Sequence, residues 1–194
     1  MMDIEEAAKR ISPQFEHIAA DGLLALEQLQ LPAGAEVLDV GTGVGNFAVF
    51  LALQGFDVLT GEPETDTSRY ARQNWTARAE AVGVAERIRF QPFNASAMPF
   101  EDGRFAAVFF FGVLHHVDEG ERRRVFSEAL RVVKPGGSVV FFEPTAELLD
   151  QIKDRDPGHP PAANPDDYRG DAPAAATKLR GRRMNIYFYR AAGG

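Results

Sequence analysis

A chain of 194 residues, 45% hydrophobic and 25% charged, suits one domain with a sizeable core. Its formal charge of −7 argues against nucleic acid or an anionic membrane as the main partner, and the lack of cysteine removes disulfides, thiolate metal sites and thiol nucleophiles. No apolar run approaches the ~18 residues of a membrane helix, so the chain reads as cytoplasmic, with no membrane span.

Residues 3–30 are predicted as two packing helices, with Ile4, Ala7, Ala8 and Ile11 on one face of the first and Ser12-Pro13 opening the second. Strand-type residues 36–40 then run into Gly41-Thr42-Gly43-Val44-Gly45, and an apolar helix follows over 46–54, closed by Gly55. Glycine has no Cβ, so this turn bends sharply and lets a ligand lie against bare backbone. A dinucleotide fingerprint would need glycine where Asn46 stands. Asp39, just before the turn, would repel a pyrophosphate but suit a ligand carrying an ammonium group.

A second strand, 56–60, ends at Gly61-Glu62-Pro63. Glu62 lies 21 residues after Gly41, the spacing at which an acid accepts from ribose hydroxyls; the alternative is a solvated turn glutamate. A helix is predicted over 67–82, with Trp75 half-buried on the sheet side and its arginines solvated, then a strand over 88–93. Residues 105–111 are apolar throughout, as in a central strand covered on both faces. His115-His116 hints at metal, but no acid or cysteine sits near at helical spacing, so no metal site is read. A helix over 121–133 leads through Lys134-Pro135-Gly136-Gly137 into a strand at 138–142 ending at Glu143-Pro144. A short helix is expected over 147–153. Residues 154–177 hold five of the twelve prolines and read as a mobile loop, lid or partly disordered segment. A final strand, 184–189, follows, with little room for a second long one and hence a minimal substrate cap.

Residues 37–45 resemble the first motif of the class I S-adenosylmethionine (SAM) dependent methyltransferases, and Val133-Lys134-Pro135-Gly136-Gly137 resembles a turn characteristic of that family. The likeness covers roughly residues 36–144 and is closest to the small-molecule, ubiquinone/menaquinone-methyltransferase-like branch. It implies a single α/β domain with a doubly wound, mostly parallel Rossmann-like sheet, helices on both faces, an antiparallel C-terminal strand and an N-terminal helical cap over 1–30. It also implies SAM as cofactor, S-adenosylhomocysteine as product, a small-molecule acceptor, and a monomer or homodimer. Carried onto this sequence, the cofactor set is Asp39, Gly41, Thr42, Gly43, Gly45, Glu62, Asn94, Ala95 and Phe111. Asn94 replaces the usual aspartate at the adenine edge, where its oxygen could still accept, or it merely ends the strand as a turn residue. The Phe111 carbonyl would take the methionine ammonium, while His116 as a general base and Glu143 fall on the acceptor side. Two rival readings remain at this stage: a non-catalytic SAM-binding regulatory module and a nicotinamide-dependent oxidoreductase.

Overall fold

The computed structural model describes residues 2–67, 71, 73–170 and 175–193. Helices α1 (Ile4–Ile11) and α2 (Gln14–Leu26) precede an alternation of β1 (Glu36–Val40), α3 (Asn46–Leu53), β2 (Asp57–Gly61), α4 (Trp75–Ala81), β3 (Ile88–Phe90), β4 (Phe105–Phe111), α5 (Glu119–Val132) and β5 (Val133–Pro144). Helix α6 (Ala146–Lys153) and strands β6 (Ala175–Arg180) and β7 (Met184–Arg190) complete the chain. The seven strands form one sheet in the order β3-β2-β1-β4-β5-β7-β6. Strands β1 to β5 pair in parallel, β7 runs antiparallel to β5, and β6 antiparallel to β7.

Period-two alternation divides the core into two layers. Ala107 and Phe109 of β4 pack with α1–α4, whereas Val108 and Phe110 pack against α5. Helix α3 is apolar on every side apart from Asn46, and all eight of its residues are buried, which pins the chain leaving the glycine turn. Helix α2 crosses α3 closely, since a Cβ on Gly22 would lie 2.7 Å from Phe50 Cζ.

Several boundaries differ from the sequence expectation. Helix α2 stops at Leu26 because the backbone tightens to three-residue bonds, Gln28 N–H to Ala25 and Leu29 N–H to Leu26, both 3.0 Å. Helix α4 begins only at Trp75, with Asn74 Oδ1 accepting from the Ala77 N–H at 3.3 Å; residues 68–70 and 72 of the expected 67–82 helix lie outside the described residues. Strand β3 is cut to three residues ahead of Pro92, which has no N–H to donate. Strand β5 takes in the Pro-Gly-Gly turn as an irregularity between the pairings Phe105↔Val133 and Ala107↔Ser138.

The C-terminal end is the larger correction. Two strands, not one, form an antiparallel hairpin. Within the described part of 154–177, Ala163 and His159 are 6% and 8% exposed and Pro165 is buried, while most of the other residues are exposed. Asp21 of α2 anchors the hairpin. Buried at 1% exposure, it accepts from the backbone N–H groups of Arg182, Arg183 and Met184, the latter two at 3.0 Å. Asp21→Ala strands these amides, and a loss of at least about 2 kcal/mol is expected. Urea denaturation checks it; an unchanged midpoint would remove Asp21 as the link between helix and hairpin.

Candidate cofactor and acceptor site

The corner between β1 and α3 lies where neighbouring strands lead off in opposite directions, the usual ligand crevice of an open α/β sheet. Gly41 and Gly45 both adopt positive φ, +87° and +79°. A Cβ at Gly41 would sit 2.6 Å from Val113 Cγ2, and one at Gly45 would sit 2.6 Å from Trp75 Cβ. Glycine is therefore required twice over at each, by conformation and by close approach. Trp75, partly buried, stacks on Phe90 at 6.3 Å and walls the corner on that side.

Glu62, nearly buried, reaches back from the end of β2 so that its Oε2 accepts from the Gly43 N–H at 3.0 Å. Thr42 Oγ1 lies 2.9 Å from Thr60 Oγ1, which donates to Asp39 Oδ2 at 2.8 Å. The other Asp39 oxygen, Oδ1, is buried and makes no hydrogen bond among the described residues. Burial raises the Asp39 pKa from the ordinary 3.8 to about 7; the Thr60 hydroxyl opposes this and the nearby Glu62 charge adds to it. Thr60 escaped the sequence reading because only the β1–β2 register, Asp39↔Thr60, places it there.

The remaining cofactor candidates fall along the same strand ends. Asn94 is exposed, and its Oδ1 accepts from both the N–H (2.9 Å) and Oγ (3.0 Å) of Ser96, so this oxygen closes its own turn. Ala95 is half-buried beside it. Phe111 ends β4, its ring stacked on Phe47 at 4.7 Å.

On the acceptor side, β4 and β5 bring together groups far apart in sequence. His115, 3% exposed, places Nδ1 2.8 Å from Glu143 Oε2, which also accepts from the Ala163 N–H at 2.8 Å. Glu143 thus serves as a partner of His115. His116 has its pKa lowered to about 4, by partial burial first and then by His115 and His159, so it is neutral at physiological pH. His159 was missed by sequence reasoning: it lies 43 residues past His116 in a proline-rich stretch without periodicity. The three rings have centroids 4.3 to 5.2 Å apart.

His159 also lines a cavity of about 590 Å³ together with Pro13, His17, Leu148, Arg155 and Arg183. Another cavity, of about 470 Å³, lies near Asp102, Arg131 and Pro135 at the opposite strand ends and contains none of the candidate residues.

Residues 38–141, more than half of the chain, match the family model described as a methyltransferase domain, and the chain belongs to that family. This sets aside the nicotinamide-dependent oxidoreductase. The chain is 34% identical over 114 residues to the sarcosine/dimethylglycine N-methyltransferase of Aphanothece halophytica, covering 58% of this chain and 39% of that protein. It is 30% identical over 138 residues to the 27-O-demethylrifamycin SV methyltransferase of Amycolatopsis mediterranei, covering 71% and 45%. The chain therefore spans less than half the length of these curated relatives, whose names carry both nitrogen and oxygen acceptors and so single out no branch. The crystal structure of geranyl diphosphate C-methyltransferase from Streptomyces coelicolor, in complex with Mg²⁺, geranyl-S-thiolodiphosphate and S-adenosylhomocysteine, shares the fold at a TM-score of 0.68 and 15% identity, over 90% of this chain and 76% of that one.

No helix among the described residues is long and apolar enough to cross a membrane.

Proposed function

We propose that this chain is a SAM-dependent methyltransferase acting on a small-molecule acceptor. One observation carries the reading. Above a bare glycine corner, a fully buried carboxylate keeps one oxygen without a hydrogen bond, and a second acid stands at the neighbouring strand end. A buried carboxylate with an unused oxygen calls for a cationic donor, and the corner has no room for side chains. SAM fits both demands, having an ammonium group and no phosphate to be repelled.

Asp39 and the Phe111 carbonyl take the ammonium, and Glu62 the ribose hydroxyls. Because the Asn94 oxygen is engaged with Ser96, the adenine edge falls mainly to backbone at Ala95. When bound, SAM supplies an electrophilic methyl on a sulfonium that departs as a neutral thioether. The protein's share is to align the acceptor behind that methyl and exclude water. His116, neutral and weakly basic, is poorly suited to strip a proton from an acceptor. The cavity of about 590 Å³ beside His159 is the acceptor pocket, and Arg155 and Arg183 on its wall, against the single carboxylate of Asp154, favour an anionic group on the molecule it admits.

Glu62→Ala is expected to weaken SAM binding by roughly 1–3 kcal/mol, the loss of a charge-assisted hydrogen bond. Titration calorimetry measures it, and unchanged affinity would take Glu62 out of the site. Conversion of SAM to S-adenosylhomocysteine across a panel of anionic small molecules separates an enzyme from a SAM-binding regulatory module. Binding without turnover on any of them would favour the module.

A further inference from the structure

The three histidines at the strand ends do more than pack together. We propose that His115, His116 and His159 bind a divalent transition metal of the zinc class beside the acceptor cavity, which His159 lines. Each offers a ring nitrogen, and these atoms all lie within 4.8 Å of one another. A tetrahedral zinc with nitrogen ligands at 2.0–2.1 Å sets them about 3.3 Å apart. Closing that difference takes a shift of up to about 1.5 Å; His159 stands outside the regular helices and strands.

The surroundings match what imidazole ligands need. Nδ1 of His115 lies 2.8 Å from Glu143 Oε2; a carboxylate that accepts there leaves the Nε2 lone pair for a metal, the usual way to fix the tautomer of a ligating histidine and raise its donor strength. His159 repeats the arrangement more loosely, its Nδ1 lying 3.6 Å from Asp156 Oδ2. The hydrogen bond from Ala163 to Glu143 ties the segment carrying His159 to the same carboxylate. Glu143 is 1% exposed, and among the described residues its Oε1 makes no hydrogen bond and no lysine or arginine bonds to it. A buried anion in that state is costly, and a dication one imidazole away offsets it. Three neutral nitrogen donors select zinc-like ions over magnesium or calcium, which prefer oxygen. Three protein ligands leave one tetrahedral position for a water or a substrate atom, and of the three histidines it is His159 that lines the cavity. Calling that cavity the acceptor side rests on the methyltransferase reading; the metal site itself does not.

The test uses the full chain without a polyhistidine tag, dialysed against a chelator and titrated with ZnCl₂. One zinc per chain is expected with micromolar or tighter affinity, weakened at least about 100-fold in His159→Ala and in His159→Gln. His17→Ala, which alters the same cavity outside the cluster, should bind zinc as the parent does. Co²⁺ should give the visible bands of a tetrahedral site in the parent and lose them in both His159 variants, whose folding is verified by circular dichroism. Absence of stoichiometric binding, or equal binding in folded His159 variants, overturns the proposal. A SAM titration on the same sample keeps the two readings apart. SAM bound without zinc overturns the metal site alone, whereas zinc bound without SAM overturns the methyltransferase reading and leaves the site standing.

Discussion

Asp39→Asn is expected to weaken SAM binding about 10- to 100-fold, roughly 1.5–3 kcal/mol, because an amide cannot balance the ligand's ammonium. The pH dependence should change with it. In the parent the carboxylate must ionise to receive the cation, and its pKa is raised to about 7 by burial. The association constant should therefore rise about tenfold per pH unit up to about 7, and fall above about 8 as the α-ammonium of the ligand loses its proton. Asp39→Asn removes the acid limb and leaves the alkaline one. Stability of the unliganded protein should run the other way. The folded-state pKa lies above the unfolded 3.8, so the folded protein holds the extra proton between about 4 and 7. The contribution of this group is full below pH 4 and lost as pH rises through 7, on the order of 4 kcal/mol across the window. Calorimetric titration from pH 5.5 to 9, with urea melts of parent and variant, reads both effects. A flat parent affinity profile would mean that Asp39 does not meet the cation.

Gly61→Ala should be the most damaging single-methyl change in the sheet. An added Cβ would run into the Gln91 carbonyl oxygen and lie 2.6 Å from Phe93 Cε1. Neither neighbour can yield easily. Gln91 donates to the Thr60 carbonyl at 3.0 Å, and Phe93 donates to that of Glu62 at 3.3 Å, so moving them opens the ladder between β2 and the chain following β3. A cost of at least about 3 kcal/mol is expected, a fall in Tm of roughly 6–12 °C for a chain this size. SAM affinity should drop as well, since Glu62 is the next residue. Gly120→Ala provides the contrast: nothing lies within 4 Å of a Cβ there, in the first turn of α5, so it should be neutral or stabilising by up to about 1 kcal/mol. Differential scanning calorimetry of both variants decides the matter. Equal Tm values would refute the steric argument at Gly61.

The comparison of prediction with structure divides by range. Where a residue's role depends on its near neighbours, the sequence was legible. The strand, glycine turn and apolar helix of residues 36–53 follow from Cβ sterics and from periods of two and 3.6 that act over a few positions. The apolar run of β4 placed it at the centre of the sheet, and the spacing from Gly41 put Glu62 at the corner. The C-terminal segment shows the opposite case. Its proline-rich composition carries no period, and only the structure shows that His159, Ala163 and Pro165 are buried and that Asp21, more than 150 residues earlier, caps the hairpin that follows.

By itself the sequence determined the α/β alternation, the bare corner and the acids flanking it, because backbone sterics and side-chain periodicity are local. Only the tertiary structure decided that Asp39 is buried with a raised pKa, that Glu143 braces His115, and that a third histidine joins the pair at 115 and 116. Such meetings are set by which faces pack together, and no spacing along the chain encodes the environment that packing creates.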